Sequence, residues 1–248
     1  MDDLIVSGLR IDWNMLTDSY VSRIPSLRSI DELEFHKNVT FLVGENGSGK
    51  STLLEGIAVA CGFNAEGGTR NYRFSTYDDT SDLAKAMTIY RQYAIGPSSF
   101  FLRAESYFTL ATQAREYDHG GGLARLHEMS HGEGFLEILL SHTGKGLYLM
   151  DEPESALSTQ RQLTLLEHMY RMANDGSQFI VATHSPILLG LPDAEILSFD
   201  ENGVHPSIMR IRTAIKSPGS SSTIVNRCYV ICSKTRHELK GNGCGCSL

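Results

Sequence analysis

The sequence predicts an α/β fold: a mainly parallel sheet covered by helices on both faces, in a three-layer sandwich. Three observations carry this expectation. Apolar, β-branched segments alternate with helix-patterned ones through the first 206 of 248 residues; a glycine-rich stretch, Gly44-Glu45-Asn46-Gly47-Ser48-Gly49-Lys50-Ser51-Thr52, separates one such strand from a helix; and a second apolar strand ends in two adjacent carboxylates, Asp151-Glu152. Strands that alternate with helices require crossover connections, and crossovers impose parallel pairing and burial on both faces.

The elements follow in chain order. Leu4 to Ile11 reads as a first strand and Val39 to Val43 as the strand entering the glycine-rich loop, because both are rich in β-branched and aromatic side chains. Leu53 to Ala60 continues as a helix. Residues 63–98 are polar and irregular, and are expected to form an inserted subregion of solvated loop and short helix, with Arg70, Tyr72, Arg73, Tyr77 and Tyr90 within it. Ser99 to Leu102 is a further strand. Gly134 to His142 reads as a helix, Gly146 to Met150 as a strand, Thr159 to Ala173 as a helix, and Gln178 to Thr183 and Ile196 to Phe199 as the last strands. No internal repeat is present.

The stretch 44–52 matches G-x-x-x-x-G-K-S-T in full, and each position answers a chemical need. Consecutive backbone N–H groups wrap a triphosphate, and Gly44, Gly47 and Gly49 let the backbone come close to it, with Glu45, Asn46 and Ser48 between them. Lys50 would set its ammonium between the β- and γ-phosphates. Ser51, followed by Thr52, would offer its hydroxyl to Mg²⁺, and the next helix would point its positive N-terminus at the anion. The expected ligand is a nucleoside triphosphate. Asp151 follows Lys50 by 101 residues at the end of an apolar strand, which brings it to the same sheet edge as the loop. It would hold Mg²⁺, and Glu152 would take the proton of the attacking water as general base.

Further pieces fall into a familiar order. Ser130-His131-Gly132-Glu133-Gly134 precedes Asp151 by 21 residues, Glu154-Ser155-Ala156-Leu157-Ser158 follows it, and Thr183-His184-Ser185 ends the next strand 33 residues after Asp151. This order resembles ABC-type P-loop ATPases. The Ser-His-Gly-Glu form of the signature looks more like the small bacterial AAA-family ATPases and the soluble DNA-repair heads than like transporter subunits. The resemblance implies an ABC-ATPase-like P-loop NTPase fold, with ATP and Mg²⁺ as ligands and hydrolysis at the interface of a head-to-tail homodimer. It implies Lys50, Glu152 and His184 as catalytic residues, His184 as the γ-phosphate sensor. Ser130, Gly132 and Glu133 become the signature offered to the other copy, and Ser155 to Ser158 the loop at the dimer seam. Read alone, Ser130 to Gly134 is also a capping box at a helix start, which is compatible with that role. An energy-coupling ATP-binding subunit of a transporter or other partner complex is the alternative. Glu105, in Arg103-Ala104-Glu105-Ser106, stands where the family carries its glutamine loop. Trp13, Tyr20 and Arg28 are the candidates for stacking on the base, with core packing the alternative for Trp13.

Charge and composition set limits. A net charge of -7 argues against a broad nucleic-acid surface, leaving DNA or a protein as the unidentified partner. No apolar run reaches the ~20 residues of a membrane span, and the acidic start lacks the pattern of a secretory signal; the expected location is the cytoplasm. The ATPase domain is expected to occupy residues 1–206. Residues 207–248 differ in character: Arg210, Arg212, Lys216, Arg227, Lys234, Arg236 and Lys240 stand against Glu238 alone, beside Cys228, Cys232, Cys244 and Cys246. The cysteine spacing fits no zinc pattern. This tail reads either as the product of a reading-frame change or as a disordered extension.

Overall fold

A computed structural model describes residues 4–16, 19–69, 82–103, 136–137, 140–141 and 144–207. Among these residues ten strands form two sheets. The larger sheet has the order β10(Gly203–Ser207), β9(Glu195–Asp200), β3(Val39–Gly44), β8(Gln178–Ala182), β7(Leu147–Asp151), β6(Phe100–Arg103), β4(Gly68–Thr69). Its five central strands are parallel and the two edge strands, β10 and β4, run antiparallel to their neighbours. The smaller sheet is antiparallel, β2(Glu32–Glu34), β1(Val6–Ile11), β5(Met87–Arg91).

Alternation along each central strand divides the core in two, because successive side chains leave a strand on opposite faces. Leu147 and Leu149 of β7 and Ile180 and Ala182 of β8 join one apolar cluster; it takes in helix α2(Lys50–Ala60) and β1 of the smaller sheet. Tyr148, Met150, Phe179 and Val181, from the same two strands, join the second, under a long helix over residues Thr159–Asn174. The register puts Tyr148 opposite Phe179, and their rings stack at 5.0 Å. The long helix buries Leu165, His168, Met169, Met172 and Ala173, a stripe with helical spacing, and leaves Leu163 and Tyr170 exposed. The three-layer α/β arrangement is the expected one.

Several features depart from the sequence expectation. The first strand belongs to the smaller sheet, where it pairs with β2 and β5. Residues 82–98, expected as loop and short helix, contain the one-turn helix α3(Leu83–Ala86) and strand β5. Pro25–Arg28 forms another single turn, α1. A buried amide joins the sheets: Gln178 Nε2 donates to Val6 O and its Oε1 accepts from Val6 N, both at 2.8 Å. Of the helix expected over 134–142, residues 136–137 and 140–141 are described, and they are helical. Arg70, Tyr72, Arg73, Tyr77 and the whole of 208–248 lie outside the described residues. No helix among the described residues is long and apolar enough to cross a membrane.

Candidate functional site

Parallel register delivers the ends of four strands to one sheet edge. Leu42 of β3 lies opposite Ala182 of β8, Ala182 opposite Asp151 of β7, and Asp151 opposite Arg103 of β6. Beyond that edge run the turns that carry the polar residues of the site.

The loop after β3 is held in a conformation that only glycine tolerates at key points. Gly44 has φ 153°, and a Cβ there would stand 2.5 Å from Phe199 O. Gly47 has φ 80° and its missing Cβ would meet nothing within 4 Å, so the backbone at this point borders open space where an anion can approach. Lys50, first residue of α2, is buried, with Nζ donating to Gly44 O and Glu45 O at 2.8 Å each. Burial lowers its pKa, against the attraction of Glu152, Asp151 and Glu154. One turn of chemistry is thus concentrated around the loop: an ammonium, three carboxylates and a helix N-terminus.

Ser51 Oγ donates to Asp151 Oδ1 at 2.8 Å, across 100 residues of chain. A hydroxyl and a carboxylate oxygen this close, both half-buried, form the hard oxygen donor set that Mg²⁺ prefers. Glu152 turns the chain out of β7 with a left-handed φ of 48°, while its N–H donates to Ala182 O at 2.9 Å and extends the ladder by one bond. Its carboxylate lies 3.8 Å from His184 Nε2, and both side chains are half-exposed, 45% and 41%. His184 follows Thr183 at the end of β8, and its backbone N–H donates to Glu154 Oε1 at 2.6 Å. The structure therefore brings Lys50, Ser51, Asp151, Glu152 and His184 to one edge. Ser130, Gly132, Glu133 and Glu105 lie outside the described residues.

Trp13 does not face this site. Its ring is buried, its Nε1 donates to Ile30 O at 2.7 Å, and the Arg28 guanidinium lies 4.9 Å over it, so these two candidates for base stacking are engaged with each other. The space beside the phosphate loop has other walls. A cavity of about 600 Å³ is bounded by Ile24 to Ser26, the outer face of residues 45–48 and the turn 199–202, and Tyr20 is not among its lining residues. Ser26 Oγ donates to Ser48 O and ties α1 to the loop. No motif points to this groove, because its three walls are separate segments of the chain. Arg103, two residues before Glu105, has a structural role that its sequence context does not announce. Its Nη1 bonds Glu55 Oε2 at 2.8 Å and so fixes the end of β6 against α2.

No curated protein matches the sequence significantly. Solved structures with a similar arrangement include the SMC head domain from Thermotoga maritima, with 16% identity over 82% of this chain and 99% of that one and a TM-score of 0.46. Others are an ATP-binding subunit of an ABC transporter, with 18% identity, 70% and 79% coverage and a TM-score of 0.43, and MJ1267, an ATP-binding cassette of an ABC transporter, with 14%, 81%, 90% and 0.41. With TM-scores below 0.5 these likenesses carry no weight alone. Family matches are more direct: residues 23–115 match the family described as "AAA domain", and residues 82–190 the one described as "AAA domain, putative AbiEii toxin, Type IV TA system". The two stretches overlap across 82–115 and between them span both the phosphate loop and the Asp151–Glu152 strand end, so over residues 23–190 the chain is similar to AAA-domain P-loop ATPases.

Proposed function

We propose that the chain hydrolyses Mg²⁺-bound ATP at a site completed by a second, head-to-tail copy of itself. The observation that carries this reading is the convergence of Ser51–Asp151, Glu152 and His184 on the edge bordered by the phosphate loop. Lys50 binds the β- and γ-phosphates; its Nζ already points to the loop carbonyls that line their path. Ser51 and Asp151 would hold Mg²⁺, which would supply positive charge against the phosphates. Glu152 accepts the proton of the attacking water, and His184 senses the γ-phosphate. The 600 Å³ groove is large enough for a nucleoside and continues directly from residues 45–48.

Two facts support a second copy. Glu152 and His184 are half-exposed, whereas phosphoryl transfer to water is best conducted in a covered site. The turn with Ser155 and Ser158 exposed stands beside them and offers a seam. Ser130, Gly132 and Glu133 of the opposite copy would supply the missing cover. The ATPase unit is taken as residues 1–206. Replacing the base decides the matter: Glu152→Gln is expected to bind ATP, fail to turn it over and elute as a dimer on a sizing column. An ATP-bound variant that stays monomeric would overturn the two-copy mechanism. What hydrolysis drives is read by the ATPase rate with and without DNA, stimulation indicating DNA and indifference a protein partner.

A further inference from the structure

We infer that Glu154 is the positioning residue of His184: its carboxylate sets where the histidine stands relative to Glu152. The inference rests on the sensor reading of His184 above. The ring of His184 approaches Glu152 Oε1 at 3.8 Å, beyond hydrogen-bond reach, and is half-exposed, so its contacts do not fix it. Its backbone is held instead. The N–H donates to Glu154 Oε1 at 2.6 Å, a short bond to a charged acceptor between residues 30 apart in sequence.

The post that carries this bond is rigid. Glu154 belongs to the 3-10 turn Pro153–Ala156, whose Pro153 is buried and whose following residue, Leu157, packs into the second core cluster. Ser155 N donates to Glu152 O at 3.1 Å and Leu157 N to Glu154 O at 2.9 Å, so the turn is closed on both sides of the carboxylate. On the histidine side, Thr183 and Ser185 are buried, and Ser185 Oγ donates to Gln162 Oε1 at 2.6 Å. Only the residue between them turns outward, and Glu154 grips it there.

Stability alone does not explain a carboxylate in this position. Its second oxygen, Oε2, is buried with no hydrogen-bond partner among the described residues, which is an unfavourable arrangement for a group that serves only to hold the fold. The same side chain links the turn after Glu152 to the turn bearing His184, so a displacement of residues 153–158 moves the histidine with it. A partner that presses on that seam thereby reaches the γ-phosphate sensor.

The test is steady-state Mg-ATPase kinetics of the full chain carrying Glu154→Ala, Glu154→Gln, His184→Ala and the double replacement. Glu154→Ala is expected to lower kcat about tenfold with KM for ATP changed by less than about twofold, since only the placement of a transition-state contact is lost. Glu154→Gln, which keeps an oxygen acceptor, should recover most of the rate. In the His184→Ala background Glu154→Ala should have no further effect, as expected when one residue acts through the other. Equal losses in both backgrounds, or a wild-type kcat for Glu154→Ala, would overturn the inference. Glu154→Asp covers the case of an unfolded alanine variant: it draws the carboxylate back by one methylene and should give an intermediate rate, full activity counting against the proposal. A wild-type rate for His184→Ala instead sinks the sensor reading itself, which separates the two failures.

Discussion

Gln178 offers the sharpest test of how the two sheets are joined. Its side chain is fully buried, and it satisfies both backbone groups of Val6, itself fully buried, through bonds of 2.8 Å. Gln178→Leu keeps the shape and removes both partners, leaving an N–H and a C=O inside the core without them. Each orphaned group costs about 1–3 kcal/mol, so the loss is roughly 2–6 kcal/mol before the modest gain from a more apolar side chain. For a chain of this size that corresponds to a fall in Tm of about 5 °C or more. Trp13, the single tryptophan, lies in the same cluster as Val6 and reports the transition by fluorescence in urea. A leucine variant within about 0.5 kcal/mol of the parent would mean that the Val6 groups find other partners, and the stitching argument would fail.

Three further outcomes follow from the phosphate loop. Burial lowers the pKa of Lys50 below its ordinary 10.5, whereas a bound triphosphate favours the ammonium; ATP binding above the lowered value must therefore take up a proton, and Kd should rise by up to about tenfold per pH unit as pH climbs through it. Calorimetric titration between neutral pH and pH about 10.5 reads this slope, which Lys50→Met should abolish. The sign for stability is the reverse: a lysine with a depressed folded-state pKa contributes most above 10.5 and loses that contribution as pH falls through the lowered value. Lys50→Met is thus expected to unfold at the same or a higher urea concentration than the parent at neutral pH, and a clearly lower midpoint would contradict the burial argument. Gly44→Ala sets a Cβ 2.5 Å from the backbone oxygen of Phe199 and 2.8 Å from Ser48 Oγ, so the loop must shift. ATP affinity should drop by about 100-fold, on the scale of a displaced binding group, and parent-like affinity in a nucleotide titration would show that the loop adapts.

The centre of the parallel core was legible because β7 and β8 are buried on both faces and so form unbroken apolar runs, Leu147 to Met150 and Phe179 to Ala182. Strand β5 was not. Only Met87 of its five residues is buried, and its pattern Met87-Thr88-Ile89-Tyr90-Arg91 sits within a polar stretch that gives no local reason to pair with β1. Gln178 misleads in another way. A glutamine at the head of a strand reads as a boundary residue, and its duty to Val6, 172 residues away, has no local trace. Trp13 shows the limit of reading by residue type: an aromatic upstream of a phosphate loop suits a nucleobase, but its ring is spent on the core and on Arg28.

The division within the site has a physical basis. A triphosphate is bound by consecutive backbone N–H groups, so its recognition must be written in consecutive residues, and 44–52 is readable at sight. A base and a sugar are bound by walls, and walls can come from anywhere; the groove proposed for them is bounded by 24–26, 45–48 and 199–202. The same reasoning applies to catalysis. Asp151 and Glu152 are adjacent and announce themselves, whereas the bond from the His184 amide to Glu154 unites two turns on neighbouring strands and exists only after β7 and β8 have paired. Glu152 and His184 approach each other only because Asp151 and Ala182 stand in register, and a slip of one residue would send every side chain of β8 to the opposite face. Register between two buried strands thus governs the chemistry at their ends, and substitutions inside those strands are expected to reach the ATPase rate without touching the nucleotide.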